Sequence, residues 1–221
     1  MIRRYLAICA LSAGALLTTG CATTSPGYDY SAYRADPPRS ILVLPLVNNS
    51  VDVEAPYVYL STVTRPLAEA GYYVYPVAVV DAFMKENGIS EPAEMQSVPL
   101  DKIDRIIGPD AVLYTTIEEW GQKYHVLSSD TTVDVSARLI DADTGTLLWD
   151  GSARAVEGSN NNQGGLLGAV IVALVEQIVD TSAGRTREVA RMANFNMVGD
   201  RTEGLPLGPY NPDHVTDPRR Q

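Results

Sequence analysis

His125 and His214 are the only histidines in the chain, so any imidazole general base must be one of them. A Ser-His-Asp unit needs such a base beside its nucleophile. His125 stands in Lys123-Tyr-His-Val126 at the end of an expected strand, which reads as a partly exposed loop position, and His214 lies in a proline-rich tail. Glu118 and Glu119 carry the two carboxylates that acid–base work requires, but neighbouring residues on a regular strand point to opposite faces and cannot share a site. Asp141-Ala-Asp-Thr-Gly145 opens like a calcium loop; its third ligand position is Gly145 and Ser152 stands where a bidentate Glu is needed, so a tight turn is expected instead. Zinc sites take three or four Cys, His or carboxylate ligands, more than this inventory supplies without several carboxylates. The Gly158–Gly165 loop lacks the Lys-Ser or Lys-Thr that completes a phosphate cradle. The expectation is a protein without catalytic residues, metal or cofactor, and not an enzyme.

Cys9 and Cys21 are the only cysteines. Arg3-Arg4 precede an apolar run, Leu6 to Leu17, too short to span a bilayer as a helix and suited to a secretory signal. Thr18-Thr-Gly-Cys21 ends that run and resembles a bacterial lipoprotein signal, in which small residues precede a cysteine that receives diacylglycerol and becomes residue one. The match departs from the usual pattern at Thr18, where Leu is commonest; an ordinary secretory signal is the alternative. Lipidated Cys21 would hold the chain to a membrane, since each buried methylene contributes about 0.8 kcal/mol and stable anchoring takes more than one acyl chain. By resemblance to lipoprotein sorting, Ala22 in place of an Asp after the cysteine implies the periplasmic face of the outer membrane. Loss of residues 1–20 also removes Cys9, leaving no internal disulfide.

The formal charge is −10, becoming −12 once Arg3 and Arg4 leave with the signal. No basic patch is visible in sequence, which argues against a nucleic-acid partner. Residues 21–39 read as a tether from Cys21, with Tyr28, Tyr30 and Tyr33 in a stretch of no helical or strand period. Residues 40–198 form one α+β domain, and residues 199–221 a Pro/Gly-rich tail. Within the domain, Ser40–Val47 reads as a buried strand interrupted at Pro45, Ala55–Ala70 as a helix closed by Gly71, and Tyr72–Val77 as a second strand. Short helices are expected over 79–86 and 99–107, with a polar loop over 89–98, and a third strand over Ala111–Tyr124.

The longest signal is a hairpin, Thr131–Ala155. Val133, Val135, Ala137 and Leu139 alternate with polar residues on the first arm, and Leu147, Trp149, Gly151, Ala153 and Ala155 share one side of the second. A helix from Leu166 to about Met192 follows. Its first turns, LLGAVIVALV, are apolar all round, so they are either core or an interface with protein or bilayer; a homodimer follows if that face is not fully buried. Together these give a mixed, largely antiparallel sheet of about five strands with helices on one face. The candidate interaction surface is Gly158, Asn160, Asn161, Gly164, Gly165, Leu166 and Leu167, with the free edge of a sheet as the other candidate.

The hairpin VDVSARLIDADTGTLLWDGSARA resembles that of the curli-secretion lipoprotein CsgG and of domains similar to the N-terminal domain of TolB. ILVLPLVNNS, Gly108–Tyr114 and LPLGPYNP more closely resemble lipoproteins of the genome-derived neisserial antigen family, over about residues 40–212. That resemblance implies an outer-membrane lipoprotein, an accessory of a secretion or transport assembly beside a CsgG-like partner. The residues themselves leave a second reading, a small-ligand or cell-wall-binding module with a concave polar pocket.

Overall fold

The computed structural model describes residues 27–124, 129–158 and 182–220. A six-stranded sheet lies at its centre: β1 Ser40–Val43, β2 Val47–Asn48, β3 Tyr73–Val74, β4 Ala111–Tyr124, β5 Ser129–Asp141 and β6 Leu147–Gly158. The spatial order is β3-β1-β4-β5-β6, with β2 also on β4. β1 runs parallel to β3 and β4, whereas β4, β5 and β6 form an antiparallel meander. The fold is thus α+β, mixed and mostly antiparallel.

From Ile41 onward β1 is apolar at every position because it is covered twice. Ile41 and Val43 join one core while Leu42 and Leu44 join another on the opposite face. Helices therefore lie on both faces, not one as the sequence suggested. The first face carries α1 Ser31–Ala35, α2 Ala55–Glu69 and α6 Ser182–Gly199; the second carries α3 Val77–Glu86, α4 Pro92–Met95 and α5 Leu100–Ile106, which cover only the β1 side. Proline splits the first expected strand in two, as a residue without an N–H must. Gln96 Nε2 repairs the gap, donating to Pro45 O and Thr115 O at 3.1 and 2.9 Å.

In α2, Tyr59, Val63 and Leu67 form one buried stripe at four-residue spacing. Its end is a Schellman closure: Tyr72 N–H reaches Leu67 O, Gly71 N–H reaches Ala68 O, and Gly71 takes φ +94°. Two further expectations are corrected. Tyr72–Val77 pairs only at Tyr73 and Val74, because Pro76 cannot extend the ladder and becomes the N-cap of α3. On β6 the strict alternation fails: a register shift beside Leu148 buries both Leu148 and Trp149 and leaves Leu147 exposed. Helix α6 runs to Gly199, past the expected end at Met192, while residues 166–181 lie outside the described residues.

Among the buried side-chain atoms of the described residues that make no hydrogen bond, one lies on the buried stripe of α2. The Tyr59 hydroxyl is fully buried with no hydrogen bond, and burial alone holds its ionisation well above the phenol range. Tyr59→Phe deletes that desolvated group without opening a large cavity, and is expected to raise stability by about 1 kcal/mol. A higher urea midpoint at unchanged slope is the measurement that checks it.

Candidate interaction surface

Because α3, α4 and α5 cover only the β1 side, the same face of the sheet lies open over β4, β5 and β6. Alternation fills this open area with polar side chains: Tyr114, Thr116, Ser136, Arg138, Ser152 and Arg154. A cavity of about 360 Å³ sits where the area meets α4 and α5, lined by Gln96, Tyr114, Thr116, Ser136 and Arg138. A second, of about 730 Å³, follows β6 and is lined by Arg138, Asp150, Arg154, Asn196 and Glu203, with Tyr28 beside them.

Glu118 and Glu119 both face this surface, contrary to the strand-alternation argument. A bulge makes Glu118 an extra residue, so Ile117 pairs with Val135 and Glu119 with Asp134. Glu118 accepts from Ser136 Oγ at 3.1 Å and from Asn49 Nδ2 at 3.0 Å. Glu119 lies 2.9 Å from Lys123 Nζ and 3.0 Å from Arg154, which also pairs with Asp134 at 3.1 Å. The hydrogen bond from Lys123 is the main cause that holds the Glu119 carboxyl below its ordinary value. A carboxylate kept ionised by two cations is suited to bracing strands and unsuited to donating a proton. The other candidates do not join it. Asp141 accepts from Thr144 N–H and Oγ1, each at 2.7 Å, and Gly145 takes φ +73°, which makes the segment a closed turn. His214 sits in a 3₁₀ turn with Nδ1 3.1 Å from Leu207 O, and His125 lies outside the described residues. Among the described residues no three His, Cys, Asp or Glu side chains cluster as metal ligands.

Of the predicted interaction residues, Gly158 ends β6 half-buried; Asn160, Asn161, Gly164, Gly165, Leu166 and Leu167 lie outside the described residues, as does Cys21. The leader was expected as a tether and is, from Tyr28 on, packed into the domain. Tyr30 and Tyr33 are buried. Tyr28 Oη donates to Asp150 Oδ1 and accepts from Asp150 N–H, each at 2.8 Å, and Tyr30 Oη donates to Gly204 O at 2.6 Å. Arg220 donates to Tyr33 Oη at 3.3 Å; Tyr33 and Tyr72 share a 2.6 Å bond, and Tyr72 donates to Pro206 O at 2.5 Å. The tail is equally fixed. Gly208 N–H bonds to Ala70 O and Tyr210 N–H to Gly71 O, bringing Asn211 so close that a Cβ on Gly71 would lie 2.3 Å from its nitrogen. Leader and tail thus form a clasp across the β3 and β6 sides of the domain.

Sequence comparison places this architecture. The chain is 42% identical over 186 residues to a Neisseria meningitidis protein described as "Putative lipoprotein NMB1124/NMB1162", covering 84% of this chain and 86% of the relative. The crystal structure of lipoprotein GNA1162 from Neisseria meningitidis matches with a TM-score of 0.54 at 47% identity, over 65% of this chain and all of that one. The PelC dodecamer from Paraburkholderia phytofirmans, at 14% identity, covers 77–78% of this chain and 93% of its own, with a TM-score of 0.41 that is too low to carry an argument. The family described as "Putative lipoprotein GNA1162-like" matches residues 28–210, and the chain belongs to it.

Proposed function

We propose that acylated Cys21 holds this protein to the periplasmic face of the outer membrane, and that it works there by binding, as a non-enzymatic accessory or assembly component. The observation that carries this is the leader. Tyr28 is already bonded to β6, so the seven residue steps from Cys21 to Tyr28 reach about 25 Å even when fully extended. The domain is therefore held close to the lipid, with the β6 side nearest the anchor, and does not swing on a long linker. A fixed, ion-paired sheet face fits a surface that partners read, and its carboxylates are committed to bracing it.

The test is affinity purification from crosslinked, detergent-solubilised membranes, comparing the native chain, Cys21→Ser, and a chain with twenty Gly/Ser residues inserted before Tyr28. Recovery of a defined envelope protein, a CsgG-like component being the one the hairpin resemblance implies, is expected with the native chain alone. Equal recovery with Cys21→Ser would overturn the anchored reading; equal recovery with the insertion would overturn the need for close apposition. The 360 Å³ cavity beneath Arg138 supports a second reading, a module binding a small acidic ligand or cell-wall fragment. Thermal shift against muropeptides tests it, and the absence of any shift removes it.

A further inference from the structure

The two edges of the sheet are treated differently. At the β3 edge the strand is two residues long and the tail closes over its approach through Gly208 and Tyr210. At the other edge β6 runs for twelve residues, and among the described residues no strand pairs with its outer side. Asp150 N–H meets Tyr28 Oη, which fixes the parity: Asp150, Ser152, Arg154 and Val156 present backbone N–H and C=O groups away from β5. Tyr28 caps the first of these, and Ser152 to Val156 remain as an exposed ladder, with Val156 53% exposed. A long uncapped edge is a template for another strand.

We propose that this edge pairs with the β6 edge of a second copy of the chain, antiparallel about a two-fold axis through Ala153. Three features select a copy of itself as the occupant. Ser152 of each chain then faces Arg154 of the other, and each Arg154 lies diagonal to the other's Asp150, so the charges complement across the axis. The inner-face residues at the junction, Gly151, Ala153 and Ala155, are small enough for the two strands to meet without displacing α6. The Tyr28 phenols stop the ladder at both ends and so limit the register. The pairing is isologous and closes, joining the two sheets into one without leaving a repeating edge. It goes beyond the accessory role and does not depend on it, although two chains anchored in one membrane would also meet at a raised effective concentration.

A residue on the axis gives the test. In a non-hydrogen-bonded antiparallel pair the facing Cα atoms are about 4.5 Å apart, within disulfide range. Cells expressing Ala153→Cys on the otherwise native chain are mildly oxidised and the whole lysate is run without reducing agent, so that released and membrane-held protein are both read. A band at twice the chain mass is expected for Ala153→Cys, and neither for the native chain nor for Thr144→Cys at the hairpin tip. Adding Ser152→Pro, which removes an outward N–H and no β5 bond, is expected to weaken the band at least tenfold. Sedimentation of the detergent-solubilised native chain should show a concentration-dependent dimer that Ser152→Pro abolishes. A chain that stays monomeric and uncrosslinked overturns the proposal. So does a crosslinked band of any other mass, because the occupant is then a different protein.

Discussion

Replacement of Trp149 by Ala is expected to cost about 3–5 kcal/mol of unfolding free energy, among the largest effects of any single change in this domain. Trp149 is 1% exposed and lies opposite Leu139 in the β5–β6 ladder. Its ring fills the space above Gly151, where a Cβ would come within 2.4 Å of Cζ2, and its Nε1 donates to Glu203 O at 2.8 Å. One side chain therefore joins the hairpin to the segment that follows α6. Truncation opens a cavity and frees a carbonyl at once. Trp149→Phe keeps most of the packing and loses the bond, so a smaller loss of about 1–2 kcal/mol is expected. Guanidinium unfolding followed by far-ultraviolet circular dichroism measures both, since the fluorescence of Trp149 is removed with it. A loss below 1 kcal/mol for the alanine variant would show that the ring is not a keystone.

The parts of the fold that were legible in sequence are those where one physical signal dominates. Ala111–Tyr124 was read to the residue because its first half is rich in residues that favour strands and Gly108-Pro109 closes the helix before it. The Asp141–Gly145 turn was legible because Gly145 and an Asp that hydrogen-bonds its own turn leave the backbone few options. Alternation misled where the chain carries an extra residue. The bulge at Glu118 turns two neighbouring carboxylates to one face and the bulge at Leu148 exchanges the places expected for Leu147 and Leu148, and nothing in EEW or TLLW announces which residue will be left over.

The leader and the tail were illegible for another reason. Tyr28, Tyr30 and Tyr33 have no period because each meets a different element: β6, the segment after α6, and Tyr72 with Arg220. Composition alone made this stretch a tether. The candidate surface was half legible. A free sheet edge was named, but identifying it as β6 required the strand order, and the open polar face became visible only when α3–α5 were seen to cover half the sheet.

Asp217 makes the second large prediction, because the tail is locked by charge instead of apolar burial. Its side chain is 1% exposed and that of Arg219 is 11% exposed. Asp217 Oδ1 accepts from Arg219 Nε at 2.9 Å and from Arg219 N–H at 3.0 Å, while Oδ2 accepts from Leu207 N–H at 2.6 Å. Burial by itself would raise the carboxyl pKa, but the hydrogen bonds from Arg219 and the two backbone amides outweigh it, and the net direction is downward. Removing one member of a buried pair strands the other, so Asp217→Ala is expected to cost about 3–5 kcal/mol, whereas Asp217→Asn retains an acceptor for Leu207 and should cost less. The pH dependence follows from the direction of the shift. A carboxyl whose folded pKa lies below its unfolded value of about 3.9 contributes its stability fully above that value and loses it as pH falls through the folded one. Asp200, held at about 2 chiefly by the Thr202 hydroxyl and by the amides of Glu203 and Thr202, adds to the same trend. The stability gap between native chain and Asp217→Asn should therefore be constant above about pH 5 and narrow progressively below pH 4. A gap that persists unchanged into strong acid would mean that the tail is held by packing and that the carboxylate is incidental.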